Sequence, residues 1–421
     1  MANLYQDTAS SAPETPALTH DDSCDVAIVG GGFTGLSTAL HVAGSGGKVI
    51  VLEAETPGFG ASGRNGGQVN PGLKVDPDSV ESDHGSDLGG RMNALSARGP
   101  DLVFDLIARH GIPCEPRRNG TLRAAITEAA AGPVRITAEQ WKKRGAPVEL
   151  LTAAAVAKFT GTSRYCAALY DRRGGDLNPL SYARGLARAA LSAGARIHGG
   201  SRALHIEPRG SGWQIRTSGA KLAAQRVVIA TNGYSDDLWP RLRRSIVPVF
   251  GAIAASAPLS ESQARAVMPQ RSVLYESGLI TVYYRVDAHN RLLIGGRGPM
   301  HEVHESGEIS PLLKYAKRLW PVLDGVAWTH AWGGNLAMTA DHYPHVHEPA
   351  PGVLICLGYN GRGVALSTAL GQELARYIAS PAGGFDMPIT GIKTIPLHRF
   401  WRVGVRLVIA RAQLGTAFGR G

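Results

Sequence analysis

Apolar positions along this chain follow two periods. Asp25-Val26-Ala27-Ile28-Val29 is an apolar run of strand length; Leu36, Ala39, Leu40 and Ala43 then recur at helical spacing, and Lys48-Val49-Ile50-Val51-Leu52-Glu53 is a second buried run. The pattern predicts a strand, a helix and a strand. Another helix is predicted over about residues 179–193, with Leu180, Ala183, Ala187, Ala190 and Leu191 on one face and Pro179 at a first helical position. Residues 203–207, 213–217 and 226–230, separated by turn-rich linkers, predict a meander whose last strand is buried. Residues 280–286 and 291–295 flank the turn-like Asp287-Ala288-His289-Asn290 and predict a hairpin. Residues 352–358 form a further buried strand, which runs into a helix over about 364–378. Residues 1–24 lack an apolar period and read as an N-terminal arm, a tail or extended surface segment.

A chain of 421 residues can bury a large core, so two or three domains are expected and disorder throughout is excluded. No window approaches the roughly 20 apolar residues of a membrane span, and the N-terminal residues do not resemble a signal peptide; a cytoplasmic protein without stable membrane insertion is expected. Cys24, Cys114, Cys166 and Cys356 lie far apart, which argues against a disulfide scaffold or a clustered zinc site. The formal net charge of +10 raises the question of nucleic acid, yet the basic residues are dispersed rather than gathered in a block, so none is expected as a partner.

The chemistry concentrates in four glycine-bearing loops. Gly30-x-Gly32-x-x-Gly35 follows a strand and opens a helix at Phe33 and Thr34, and Glu53 ends the next strand. Glycines there allow a tight turn, approach of backbone to a pyrophosphate and close packing of helix on strand; the helix N-terminus offers N–H groups and a positive dipole end, and the acid accepts ribose hydroxyls. A second loop carries Ala61, Ser62, Arg64, Asn65, Gly66, Gly67 and Gln68; a third carries Thr231, Asn232 and Gly233; a fourth carries Gly358, Asn360, Gly361, Arg362 and Gly363. Four such loops imply one extended ligand, which FAD satisfies better than NAD because its adenosine, pyrophosphate, ribityl chain and flavin need several contact regions.

The segments DVAIVGGGFTGLSTALH, GASGRNGGQVNPG, VVIATNGY and GYNGRGVALSTALGQELARYI resemble the D-amino-acid-oxidase (DAO) family of FAD-dependent oxidoreductases, and within it the gamma-glutamylputrescine oxidase branch. The resemblance implies an α/β fold: a discontinuous Rossmann-like FAD-binding domain (25–75, 166–244 and 331–380) and an α+β substrate domain on a mixed β-sheet (76–165 and 245–330). Residues 381–421 then form a C-terminal segment with an amphipathic helix. It implies that Ala203 meets the adenine through its backbone. It also implies hydride transfer from the carbon beside an amine nitrogen to the flavin, hydrolysis of the resulting imine, and reoxidation by molecular oxygen with hydrogen peroxide release. The partners expected are therefore a small-molecule amine and oxygen or another electron acceptor.

Such chemistry asks for an aromatic pocket more than for a dedicated base. Tyr284, Trp332 and Tyr359 are the pocket residues expected, with Tyr284 preferred to Tyr283 because neighbours in a strand face opposite ways. Sarcosine-oxidase-like relatives attach FAD through a cysteine before a T-x-D motif; here residues 332–338 precede Thr339-Ala340-Asp341 without one, so non-covalent FAD is expected. Their carboxylate-binding lysine is replaced by Val364-Ala365, which favours an amine longer than a small α-amino acid. Their oxygen-activating lysine is absent from Leu292-Leu293-Ile294-Gly295, with Arg297 the nearest cation. The alternatives are a dehydrogenase that passes electrons to an acceptor other than oxygen, and a non-catalytic dinucleotide-binding subunit.

Three other signals read as structural. His301-Glu302-Val303-His304 is one residue short of a zinc-binding H-E-x-x-H, and His342, His345 and His347 fall in a loop, so no metal is expected. Arg399, Arg402 and Arg406 lie opposite an apolar stripe of Leu397, Trp401, Val405 and Val408, which is expected to pack on the protein body.

Overall fold

The computed structural model describes residues 3–278, 281–299, 301, 303 and 306–407. The run at 25–29 lies in the strand Asp22–Val29, in the middle of an eight-stranded sheet. It pairs in parallel with Val49–Leu52 on one side and Lys221–Ile229 on the other. Arg196–His198 extends the first side; Val353–Leu357 and antiparallel His345–Ala350 extend the second. The predicted meander, as His205–Arg209, Gly212–Arg216 and Lys221–Ile229, branches from this sheet. Continuous apolar strands such as VIVL suit it, because both faces are covered. On one face lie the helices Phe33–Gly44, Pro179–Ser192 and Gly363–Ala379, whose Leu36, Leu186 and Leu370 are fully buried.

A second eight-stranded sheet runs in the order Trp328–Met338, Val247–Pro258, Arg291–Arg297, Tyr283–Val286, Val273–Glu276, Thr121–Ala125, Ala167–Asp171, Val148–Thr152. Its one parallel pair joins Val273–Glu276 to Thr121–Ala125, so the sheet is mixed.

The two sheets divide the chain at points other than those the sequence implies. Ala167–Asp171 and Trp328–Met338 belong to the second sheet, although 166–244 and 331–380 were expected in the cofactor domain. The helix Ser86–His110, expected with the substrate domain, buries Met92, Leu95 and Val103 in the core of the first. Apolar runs reveal strands but not which sheet they join.

The N-terminal arm also departs from expectation. Leu4–Thr8 is a helix capped by Asn3, and Leu4 and Tyr5 are buried. The Tyr5 ring meets Trp332 edge-on at 5.2 Å, and its hydroxyl accepts from Arg285 Nη2 at 3.3 Å. Arg285 and Arg117 both pair with the buried Asp176, at 2.6 and 2.5 Å. At the other end Leu397 is 73% exposed rather than packed, Trp401 and Val405 are half-buried, and Val408 lies outside the described residues. No described helix is long and apolar enough to cross a membrane.

Candidate active site

The carboxyl ends of the first sheet open onto one cavity of about 800 Å³, closed on the far side by the second sheet. That volume falls in the upper part of the range of ligand sites, about 300–1,000 Å³, and the cavity lies where the strands on either side of Asp22–Val29 diverge.

Gly30, Gly32, Phe33 and Thr34 line it, so the N-terminus of Phe33–Gly44 faces the interior. Gly35 does not line it: a Cβ there would fall on the Gly30 carbonyl oxygen, so this glycine permits close passage of helix over strand. Glu53 lines the cavity beside the turn, where Oε2 accepts from Gly31 N at 2.6 Å and Oε1 from Glu55 N at 2.9 Å. Burial raises the Glu53 carboxyl above its ordinary value, against the pull of these two N–H donors.

The second loop is held by its own side chains. Ser62 Oγ accepts from Phe33 N at 3.0 Å, Asn65 Oδ1 from Gly67 N at 2.8 Å, and Gln68 Nε2 donates to Leu274 O at 3.0 Å. Arg64 donates to Phe59 O at 2.9 Å. Ala61, Ser62, Arg64, Asn65, Gly66 and Gln68 line the cavity; Gly67 turns away against Leu177 O. Ala203, Thr231 and Asn232 reach it, whereas Gly233 backs onto Asn335 O. In the fourth loop Asn360, Gly361, Arg362 and Gly363 line it, and Gly358 packs on Thr339. The helix Gly363–Ala379 has no side-chain cap, so a second N-terminus faces the same space. The Arg362 guanidinium donates to Pro71 O at 2.8 Å and to Tyr275 Oη, itself a lining residue, at 2.7 Å.

Alternation sorts the aromatic residues. Val247, Val249, Gly251 and Ile253 of one strand line the cavity, joined out of step by Phe250, while Ala252 and Ala254 fill the core behind it. In the next hairpin Tyr283 faces the cavity and Tyr284 does not: Tyr284 Oη donates to Tyr165 Oη at 2.8 Å and its ring packs edge-on against Trp320 at 4.9 Å. The preference for Tyr284 is thus reversed, because period 2 gives opposite faces without saying which is inward. The Tyr283 ring lies across Gly66, where a Cβ would come within 2.6 Å of Cε2. Trp332 is also behind the wall, its Nε1 donating to Arg64 O at 2.9 Å. Tyr359 lines the cavity, but its hydroxyl pairs with Thr34 Oγ1 and donates to Cys356 Sγ at 3.5 Å. Arg297 lines it too, and burial lowers its pKa.

Sequence reasoning missed Lys74 and Tyr275, which also line the cavity. Lys74 follows the GRNGG loop without periodicity, and Tyr275 lies in the strand Val273–Glu276, whose apolar pattern is too short to register. Of the loop histidines, His345 bonds Asp341 at 3.0 Å and His347 bonds Thr390 O at 2.8 Å. Among the described residues no group of three His, Cys, Asp or Glu could hold a metal; Glu302 and His304 lie outside them.

A profile of the DAO family, FAD dependent oxidoreductase, matches residues 25–377. Gamma-glutamylputrescine oxidoreductase of Escherichia coli (strain K12) is 31% identical over 424 residues, covering 98% of this chain and 99% of that protein. Glycine oxidase of Geobacillus kaustophilus (strain HTA426) is 28% identical over 376 residues, covering 86% of this chain and 95% of the enzyme. A crystal structure of glycine oxidase from Geobacillus kaustophilus matches with a TM-score of 0.71 at 26% identity, over 85% of this chain and 95% of that one. L-proline dehydrogenase from P. horikoshii shares the fold, with a TM-score of 0.72 at 18% identity over 88% and 96% of the chains.

Proposed function

The chain belongs to the FAD-dependent oxidoreductase family of the DAO type, and from that premise we propose that it is an amine oxidase acting on a primary or secondary amine with a distal carboxylate, as in gamma-glutamylputrescine. The observation that carries this reading is one cavity with two uncapped or loop-capped helix N-termini, a half-buried acid at the first glycine turn, and a largely aliphatic far wall.

The residues fit the cofactor. Gly30 to Thr34 would take the pyrophosphate on backbone N–H groups, Glu53 the ribose hydroxyls and Ala203 the adenine, while Gly361 and Gly363 would meet the flavin end. No cysteine lines the cavity, which supports non-covalent attachment. When bound, FAD supplies a two-electron hydride acceptor that passes its electrons on to oxygen.

The remaining work falls to the chain. Val249, Ile253 and the Tyr283 ring form an apolar wall that excludes water and orients the reacting C–H. Among the described residues the carboxylates lining the cavity are Glu53, Glu55 and Asp236, near the adenosine site, so none of them stands as a base beside the reacting amine, which must arrive neutral. Loss of hydride leaves an iminium carbon; water adds there, the C–N bond breaks, and an aldehyde and the freed amine leave.

The test is anaerobic addition of gamma-glutamylputrescine to the FAD-loaded protein. Bleaching of the flavin band, then recovery in air with equimolar peroxide, is expected. No bleaching by this or related carboxylate-bearing amines defeats the reading; bleaching without prompt recovery in air makes the protein a dehydrogenase.

A further inference from the structure

The charge of the cavity is polarised. Its carboxylates cluster near the adenosine site, where Asp236 is already paired with Arg202 at 2.7 Å. Elsewhere on the lining are Lys74 and Arg362, with Tyr275 and Asn70, and among the described residues no acid lines the cavity beside them. Arg362 is fixed by Pro71 O and Tyr275 Oη, and its guanidinium lies over the Tyr275 ring at 4.7 Å. Asp76, the acid next along the loop, is engaged by Arg123 at 3.2 Å and by Thr137 Oγ1 at 2.7 Å. Lys74 makes no hydrogen bond or ion pair among the described residues; it lines the cavity and keeps part of its surface exposed to solvent. Because Tyr275 Oη accepts from Arg362, its own O–H is left to donate. The loop bearing Lys74 is anchored by buried Leu73 and by Gly72 N donating to Ser96 O at 3.1 Å.

A cation and a hydroxyl donor on one stretch of cavity wall, backed by a second cation, match the two oxygens of a carboxylate. We propose that Lys74 and Tyr275, steadied by Arg362, form the subsite that receives the remote carboxylate of the amine; this rests on the amine-oxidising reading above. The protonation of Lys74 agrees with an anion-binding role. Burial, then Arg362 and Arg123, lower its pKa to about 8, with Asp76 opposing them; Tyr275 and His342 are the other titratable groups on this stretch of lining. A bound carboxylate favours the ammonium form, so affinity is held below pH 8 and falls as pH rises through it.

Glutarate serves as the equilibrium probe, titrated calorimetrically into the FAD-loaded protein. Lys74→Met is expected to weaken glutarate by about tenfold to a hundredfold, as for a lost charged hydrogen bond, while Lys74→Arg retains most of the affinity and loses the decline near pH 8. In turnover, Lys74→Met raises KM for gamma-glutamylputrescine by a similar factor but leaves KM for its α-carboxamide analogue unaltered. Unchanged glutarate affinity in Lys74→Met, or equal KM losses with both amines, overturns the subsite, as does Arg297→Met abolishing glutarate binding while Lys74→Met does not. Wild-type protein that binds glutarate through Lys74 but oxidises neither amine defeats the proposed function and keeps the subsite.

Discussion

Replacing Glu53 by Gln isolates one charge at the ribose end of the cavity. The carboxylate accepts two backbone N–H groups, from Gly31 at 2.6 Å and Glu55 at 2.9 Å, and its remaining lone pairs face the cavity. An amide has a single acceptor oxygen, so its NH₂ must oppose one of those donors, and the charge that would strengthen a bond from a ribose hydroxyl is gone. A charged hydrogen bond contributes about 1.5–3 kcal/mol, so FAD binding should weaken by about tenfold to 150-fold at roughly 1.4 kcal/mol per tenfold. Quenching of flavin fluorescence on titration with apoprotein measures this directly. The pH dependence supplies an independent check. In the free protein burial raises the Glu53 pKa, whereas ribose hydroxyls donate to the ionised form and lower it in the complex. Binding therefore releases a proton near the free-protein pKa; wild-type affinity falls as pH drops through that raised value and is level above it. Glu53→Gln should be flat through the same range. Equal affinities for the two proteins, or a wild-type affinity that rises on acidification, would refute the ribose assignment.

Asp176→Asn weakens the pairing of two guanidinium groups, those of Arg117 and the buried Arg285, and should cost about 3–5 kcal/mol, read as a lowered midpoint in denaturant. Gly35→Ala forces a Cβ against the Gly30 carbonyl oxygen and should destabilise by about 1–3 kcal/mol or more, since backbone must shift; an unchanged Tm would contradict the close helix–strand passage. Tyr284→Phe removes a hydroxyl pair with Tyr165 and should cost about 1 kcal/mol of stability with little effect on flavin reduction, while Tyr283→Ala opens the cavity wall and should slow reduction; stopped-flow rates that reverse this order would restore Tyr284 as the cavity residue.

The cofactor half was legible because its physics is local. A turn that needs Gly30, Gly32 and Gly35, an acid one strand later, and apolar runs flanked by glycine are features of neighbouring residues, and they became the strands and helix starts that line the cavity. What was not legible depends on pairings across long separations. Nothing within residues 167–171 says that they pair with Thr121–Ala125 rather than join the cofactor sheet, and nothing local says that Tyr5 reaches Arg285. Tyr283 and Tyr284 differ only in which face meets the core, which is decided by Tyr165 and Trp320. Lys74 carries no pattern at all; its environment comes from Arg362 and Arg123, far along the chain in both cases.

The strand Asp22–Val29 gains its partner Lys221–Ile229 only about two hundred residues later, and the helix beginning at Gly363 completes the lining later still. During synthesis, then, the first glycine turn leaves the ribosome long before the elements that enclose it, and the nascent cradle stays half-built for most of translation. Contacts this distant in sequence make assembly slow. A flavin captured at the end acts as a clasp across early and late segments, so supply of the vitamin precursor during expression should govern the yield of folded chain.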